Sequence, residues 1–419
     1  MWRKVHLTWT ALLMLALLGA GHAVPLRAVV NAGASATRFN GAGSLDDGLR
    51  MVSPTEGWAI GGWTLDGGLG SVIQRTTDAG RTFVDVSPPG LTRPVETSRV
   101  QRFVLDAENA WILMGATVYR TRNGGVTWAA SELPPPIPAL TTDAQLHFVD
   151  PMHGWVVRLT GLLMFVPPGT LVPIVVQTGF QVFRTQDGGA SWLPVSANPL
   201  PLATYCHAST VRFASPELGY LGIGCLGIAM VEITRDGGVT WAPSLVPVPH
   251  SALGLAAIEP SRQTPFLSVE VGFASGSQAA LLVEDFTGRP QFHAVIDRSS
   301  DAGLTWARGS EVIDESAPSY GDRATFGDAD HAWLPYACTG ACEEGPVALL
   351  RTTDGGATWT KLRIKPGTWP FSDPTASVSE QWRLWELVNP DLGFVYCQDG
   401  PLYRTTDGGM TFVKVSQHP

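Results

Sequence analysis

The sequence is poor in charged residues, in lysine and in cysteine. Only 16% of its 419 residues are charged, whereas 44% are hydrophobic. Such a composition can fill a large packed core and argues against a disordered chain. The formal net charge is −9. Because an acidic surface repels phosphate backbones, we predict that nucleic acid is not a partner.

Long hydrophobic runs are also missing. Two basic residues, Arg3 and Lys4, precede the short apolar run Leu12–Leu18 and a small-x-small cleavage site at residues 21–23. This arrangement predicts a secretory signal peptide over residues 1–23, because the run is too short for a comfortable membrane span. Cleavage removes both basic residues and no acidic one, which changes the net charge from −9 to −11. We expect an extracytoplasmic protein (secreted, periplasmic or cell-surface) that does not span a membrane; an uncleaved anchor is the alternative.

Only five cysteines occur, although export would permit disulfides. The midpoint between Cys206 and Cys225, at 215.5, falls on a turn at residues 215–218. On antiparallel strands joined by that turn they would face one another, so we predict a disulfide between them. Five unpaired thiols are the alternative. The remaining cysteines are Cys338 and Cys342, which could close a small loop, and Cys397.

The chain is rich in glycine and proline, with 46 and 32 residues, and it repeats one phrase seven times. The phrase is [Ser/Thr]-x-[Asp/Asn]-x-Gly-x-[Thr/Ser]-[Trp/Phe], and its clearest copy is Thr352–Trp359. Its acidic or amide positions are Asp78, Asn123, Asp187, Asp236, Asp301, Asp354 and Asp407. Each copy lies between two extended runs, which predicts a β-hairpin whose turn amides bond to the carboxylate and whose glycine has positive φ. Six equivalent carboxylates and one amide spread along a chain indicate a structural role rather than catalysis.

A small residue followed by an aromatic one precedes each copy. These pairs are Gly57-Trp58, Ala110-Trp111, Gly154-Trp155, Gly219-Tyr220, Gly272-Phe273, Ala332-Trp333 and Gly393-Phe394. We assign each pair to strand B of a four-stranded unit, with the phrase between strands C and D. The sequence thus predicts an all-β fold, a seven-bladed β-propeller of four-stranded antiparallel blades over residues 46–419. Residues 24–45 are expected to complete the seam beside blade 7.

Most length variation lies between strands B and C. The distance from the strand-B aromatic residue to the phrase ranges from 12 to 32 residues and is longest in blades 3 and 5, at 32 and 28. Such B–C loops share one face of a propeller, and insertions on one face usually mark a binding surface; neutral drift is the alternative. The apolar residues Leu162, Leu163, Met164 and Phe165 of blade 3 are the candidate partner contact, unless that loop folds onto its own blade.

The repeated phrase resembles the Asp-box, or BNR repeat, of sialidase-like β-propellers over residues 46 to 415. Sialidases carry a Phe/Tyr-Arg-Ile-Pro phrase, whereas this chain has only Thr92-Arg93-Pro94-Val95. The leader, the seven boxes and phrases such as Gly57–Gly61 are similar to the exported photosystem II stability and assembly factors and their relatives. That resemblance implies a non-catalytic scaffold for membrane-protein assembly. The basic patch of the photosynthetic members has no counterpart in this acidic chain.

We therefore predict a monomeric, non-catalytic binding or assembly scaffold that engages a protein or cell-surface ligand through its B–C loops, without a cofactor or a metal. The sequence contains no metal-binding histidine pair, serine nucleophile elbow or phosphate loop. The alternative is a glycan-active hydrolase, sialidase-like or glucanase-like, which would need paired carboxylates. The acidic groupings to test are Asp46-Asp47, Glu343-Glu344 and Asp322 with Asp328 and Asp330.

Overall fold

The computed structural model is a seven-bladed β-propeller, as the repeats predicted. It describes residues 29–30, 36–37, 43–44, 48–60, 63–64, 73–89, 100–135, 141–165, 174–199, 206–225, 227–247, 267–285, 292–314, 324–337, 347–362, 384–396 and 402–415. Every regular element in these ranges is a strand. Within them, no helix is long and apolar enough to cross a membrane.

Each blade is built from consecutive strands A to D, running outward from the axis. Three short strands come first: β1 (Val29–Val30), β2 (Ala36–Thr37) and β3 (Gly43–Ser44). Blade 1 has β4 (Gly48–Met51), β5 (Gly57–Ile60), then β6 (Trp63–Thr64), which pairs with β3, then β7 (Ile73–Thr76) and β8 (Phe83–Asp85). Blade 2 has β9 (Val100–Val104), β10 (Asn109–Met114), β11 (Thr117–Arg122) and β12 (Thr127–Glu132). Blade 3 has β13 (Thr141–Phe148), β14 (Gly154–Phe165), β15 (Ile174–Thr185) and β16 (Leu193–Pro199).

The other four blades follow the same order. Blade 4 has β17 (His207–Phe213), β18 (Gly219–Gly224), β19 (Ala229–Thr234) and β20 (Ala242–Leu245). Blade 5 has β21 (Leu267–Ser275), β22 (Gln278–Asp285), β23 (Phe292–Ser299) and an interrupted outer strand, β24 (Ala307–Arg308) and β25 (Val312–Asp314). Blade 6 has β26 (Thr325–Phe326), β27 (Ala332–Ala337), β28 (Val347–Thr352) and β29 (Thr360–Leu362). Blade 7 has β30 (Leu384–Leu387), β31 (Gly393–Tyr396), β32 (Leu402–Thr405) and β33 (Val413–Lys414).

The core lies between the blades. Apolar side chains on both faces of each sheet pack against the neighbouring sheets, and a buried cluster fills each of the seven interfaces. The ring itself closes in this way, because Leu49 and Phe83 of blade 1 share a cluster with Phe394 and Leu402 of blade 7. This burial of apolar area is the main stabilising contribution to such a fold.

The first residues of the chain pair with outer strands. Strand β1 is antiparallel to β12 of blade 2, and β2 is antiparallel to β8 of blade 1. These pairs lie on blades 1 and 2, whereas the sequence predicted a strand beside blade 7. Most of residues 24–45 lie outside the described ranges, so a seam strand from that segment stays a prediction.

Strand B of blade 5 differs from its prediction. Gly272 and Phe273 belong to strand A, and strand B carries Ala279 and Ala280 at the corresponding place. Phe273 is the cross-strand partner of Ala280 and packs against the same interface cluster. In blade 5, strand A rather than strand B therefore carries the aromatic residue, and a small residue of strand B lies opposite it. The distance from position 280 to Asp301 is 21 residues rather than 28, so blade 5 has no exceptional B–C loop.

The predicted disulfide is present. Cys206 and Cys225 are bonded, with their Cα atoms 4.1 Å apart, just outside the paired ends of β17 and β18. Both are buried in the interface between blades 3 and 4. The other three cysteines lie outside the described residues.

Candidate functional site

The seven Asp-boxes share one hydrogen-bonding pattern. In blade 3, the Thr185 hydroxyl donates to Asp187 Oδ1 at 2.7 Å, and the Gly189 N–H donates to Thr185 Oγ1 at 2.8 Å. The same carboxylate accepts the Ser191 N–H on Oδ1 at 2.9 Å and the Ser191 hydroxyl on Oδ2 at 2.6 Å. Equivalent bonds occur in the other five copies that carry Asp. In blade 2, Asn123 Oδ1 accepts the Thr121 hydroxyl and the Thr127 N–H, and its Nδ2 donates to Thr127 Oγ1 at 2.9 Å. The carboxylates are therefore engaged in closing their own turns.

The φ angles of the box glycines and the pKa values of the box aspartates are consistent with a role in closing the turns. The glycine two residues after each Asp or Asn has a φ between 80° and 96°. Hydrogen bonds from Thr305 and Ser299 lower the pKa of Asp301 to about 2. The pKa values of the other five box aspartates are also lowered, because the donated hydrogen bonds outweigh burial. Such carboxylates stay ionised and are poor general acids.

The boxes and the A–B turns lie on one face of the propeller. In every blade, the residue after the box Asp or Asn donates its N–H to a carbonyl of the A–B turn, over 2.8 to 3.0 Å. Examples are Gly188 to Met152 and Gly355 to Asp330. The B–C loops start at the opposite ends of the strands and therefore share the other face, as predicted. We call these two surfaces the box face and the loop face.

A paired ribbon extends blade 3 on the loop face. Strands β14 and β15 each have 12 residues. Within the described residues, β13 pairs with β14 as far as Thr160, and β16 pairs with β15 as far as Gly179. Beyond these rows, residues 162–165 pair with residues 174–177, and no further described strand flanks them. The predicted contact residues Leu162, Leu163, Met164 and Phe165 occupy one strand of this ribbon; their side chains lie outside the described part of the structure.

The small residue before the strand-B aromatic residue has a steric reason that the sequence did not reveal. The Trp155 ring of blade 3 stacks on Phe213 of blade 4, with centroids 3.7 Å apart and planes within 3°. A Cβ atom on Gly219 would come within 2.5 Å of the Phe213 ring. Trp155 also donates its ring N–H to the Gly237 carbonyl in the box of blade 4, at 2.9 Å. The repeated Gly-aromatic pair thus joins one blade to the next.

The inner strands are joined by polar side chains that the sequence reading missed. Examples of such bonds between neighbouring blades are the Phe213 N–H to His147 Nδ1 at 3.3 Å, Arg212 Nε to the Val271 carbonyl at 2.6 Å, and the Leu387 N–H to Thr325 Oγ1 at 3.3 Å. Burial, followed by the nearby Arg212 cation, lowers the pKa of His147 to about 3. His147 is therefore neutral and accepts a hydrogen bond on Nδ1. In the sequence, the only sign of these inter-blade bonds is that polar residues occur within otherwise apolar inner strands.

Charges of both signs meet beside the axis. Arg50 of blade 1 donates a hydrogen bond to Glu386 of blade 7 at 2.5 Å. The positive charges of Arg50, Arg102 and Arg212 each act to lower the pKa of Glu386. Burial nevertheless raises the pKa of Glu386 above its ordinary value. A cavity of about 130 Å³ lies nearby, lined in part by Arg50, Leu105 and Leu387. This volume holds a few water molecules.

The acidic groupings proposed for hydrolysis have turn roles where the structure describes them. Asp328 accepts the N–H groups of Asp330 and His331, both at 2.8 Å. Asp330 forms an ion pair with Arg298 at 2.9 Å. Asp322, Asp46-Asp47 and Glu343-Glu344 lie outside the described residues. Among the residues described, no three His, Cys, Asp or Glu side chains form a group that could hold a metal ion.

By sequence, the chain matches no family model and no curated protein. Its fold is similar to that of a YCF48 structure bound to a D1 peptide, with a TM-score of 0.51, 16% identity, and coverage of 90% of this chain and 97% of that chain. YCF48 from Cyanidioschyzon merolae has a TM-score of 0.49 and 14% identity, covering 89% and 98% of the two chains. The Hadza microbial sialidase Hz136 has a TM-score of 0.38 and 15% identity, covering 73% and 65%. The chain is therefore a seven-bladed Asp-box β-propeller whose fold is similar to that of YCF48.

Proposed function

We propose that this chain is an exported, non-catalytic scaffold that binds a protein or cell-surface ligand through its loop face. The observation that supports the proposal is the blade 3 ribbon, which extends past the described rows of strands A and D in its own sheet. The box face offers less freedom, because its carboxylates and turn amides are bonded to one another. The YCF48 structure with a D1 peptide is an example of a similar propeller that binds a peptide.

The ribbon suits a contact role because of its composition. Residues 159–178 contain no charged side chain. Both paired segments are dominated by apolar residues, Leu162–Phe165 on one strand and Ile174–Val176 on the other. A projecting apolar segment on an exported protein is a typical site of association. An extended strand pair also has few conformations to lose on binding.

Site-specific photo-crosslinking in the native host tests which face binds. A photoreactive amino acid replaces Leu163 or Phe165 on the ribbon, and Val239 or Leu304 on the box face, where both side chains are exposed. We expect discrete adducts from the ribbon positions only. Adducts confined to Val239 and Leu304 would contradict the proposal.

A shortened ribbon provides the matched control. Residues 161–178 are replaced by Gly-Ala, which reproduces the two-residue turn Gly115-Ala116 that joins β10 to β11 in blade 2. The melting temperature should change little, because the removed pairs lie beyond the described residues of strands A and D. Binding of the labelled protein to native cells should be lost. Turnover of a polysaccharide or sialoside panel, abolished by substituting one acidic grouping, would instead establish the hydrolase alternative.

A further inference from the structure

Strand D is the outermost strand of its own blade, and a strand in that position is an edge that pairs readily with other strands. One position of strand D can be compared between all seven blades. It is the cross-strand partner of the strand-C residue that lies four residues before the box Asp or Asn. In blades 3, 4, 6 and 7 this position holds Pro194, Pro243, Lys361 and Lys414. All four side chains are exposed. Proline and lysine at an edge oppose the addition of another strand.

Blade 5 protects its edge differently. Arg308 occupies the same register position, opposite Asp297. Its outer strand is broken between Arg308 and Val312, and the Ser310 N–H donates to the Gly356 carbonyl of blade 6 at 2.7 Å. An edge bent toward the neighbouring blade is a poor template for pairing.

Blades 1 and 2 have neither device. The equivalent residues are Asp85 and Ala130. Asp85 accepts the N–H of Ser87 in its own chain at 2.9 Å. Among the described residues, these are also the two blades whose outer strands carry an added strand: Ala36 and Thr37 of β2 pair with β8, and β1 pairs with β12. Each added strand therefore lies on an edge that lacks proline and lysine.

We propose that the outer edges of blades 1 and 2 are a strand-acceptor surface, that β1 and β2 occupy it within one molecule, and that a second copy of this chain occupies it when they are removed. A second copy fits because two identical edges related by a twofold axis pair in antiparallel fashion. Strand β12 has six residues and no proline, which is long enough for such a pair. This surface lies on the outer rim of the propeller and is separate from the loop face, so the proposal does not depend on ligand binding there.

The test measures the molar mass of the purified protein by light scattering over a range of concentrations. We expect a variant lacking residues 29–37 to approach twice the mass of the full chain as concentration rises. Adding Asp85→Lys and Ala130→Lys, which copy Lys361 and Lys414 of blades 6 and 7, should return the mass to that of the full chain. An unchanged mass in the deletion variant, or association that both lysines leave intact, overturns the proposal.

Amide hydrogen exchange in a full-length variant provides a second test, which does not require the deletion variant to fold. In the full-length variant Val29→Pro/Val30→Pro/Ala36→Pro, we expect amide exchange at Trp128 and Phe83, whose N–H groups face the added strands, to accelerate at least tenfold in dilute protein. Exchange within the inner strand of blade 4 serves as the reference and should not change. Equal exchange rates at the outer edges of the two proteins would show that β1 and β2 do not cover them, and would overturn the proposal.

Discussion

Arg50 and Glu386 form an ion pair that joins the innermost strands of blades 1 and 7, the two blades that close the ring. The pair is asymmetric, because 51% of the Arg50 side chain but only 10% of the Glu386 side chain is exposed. Each blade consists of consecutive strands, so among the described residues no strand is exchanged between the two ends of the chain. Within the described part of the chain, this ion pair and the apolar cluster behind it join the two blades.

Arg50→Ala should lower the free energy of unfolding by about 1–3 kcal/mol, because it removes a donor from a buried carboxylate. Loss of a mostly exposed cation would cost far less by itself. Urea denaturation of Arg50→Ala, Glu386→Gln and the double variant measures the coupling. We expect the double variant to be more stable than the sum of the single effects predicts, since a neutral amide needs the cation less. Strict additivity would count against the pair as a closure element.

Acid should destabilise the protein between pH 4 and pH 2. The pKa of Asp301 is about 2 in the folded state, below its ordinary value of 3.8. A lowered folded-state pKa contributes stability that is present above the unfolded-state value and is lost as pH falls through the folded-state value. Asp301→Asn removes this titration, and Asn123 of blade 2 shows that an amide fits a box. The melting temperature of Asp301→Asn should therefore fall less steeply over this interval; equal slopes would refute the assignment.

The fold was predictable because the Asp-box is local. Its hydrogen bonds connect residues at most four apart, so seven copies could be read directly as seven turns. Strand B of blade 5 was misplaced because its aromatic residue contributes to packing between sheets. Phe273 fills that space from strand A as well as an aromatic residue at position 280 would from strand B. A pattern along one strand cannot show which of two paired strands carries the ring.

The candidate site was predictable only in part. The length of the blade 3 insertion placed the ribbon on the loop face, because that face follows from strand order alone. The polar side chains that join the inner strands were missed because they lie far apart in sequence and belong to different blades. His147 and Phe213, for example, meet only when the ring is assembled.

Reduction of the disulfide should lower the stability of the protein. Cys206 and Cys225 are 19 residues apart, and a loop of that length corresponds to about 3 kcal/mol of chain entropy in the unfolded state. The melting temperature should therefore drop in the presence of a reductant. The double variant Cys206→Ser/Cys225→Ser should melt at the lower temperature under both conditions. A reductant effect that persists in this variant would assign the change to another cysteine.

Ala302→Gly should stabilise the protein by about 1 kcal/mol. Ala302 follows the box Asp of blade 5 and has a φ of 60°, a left-handed conformation that costs a residue with a Cβ atom about 1–2 kcal/mol. Five other boxes have glycine at this position, with φ between 65° and 73°. The gain is partly offset because glycine increases the entropy of the unfolded chain. The control is Ala329→Gly, in the A–B turn of blade 6, where alanine has no positive φ and the same entropy change should lower stability. A denaturation midpoint that falls in both variants would show that the left-handed turn imposes no strain on Ala302.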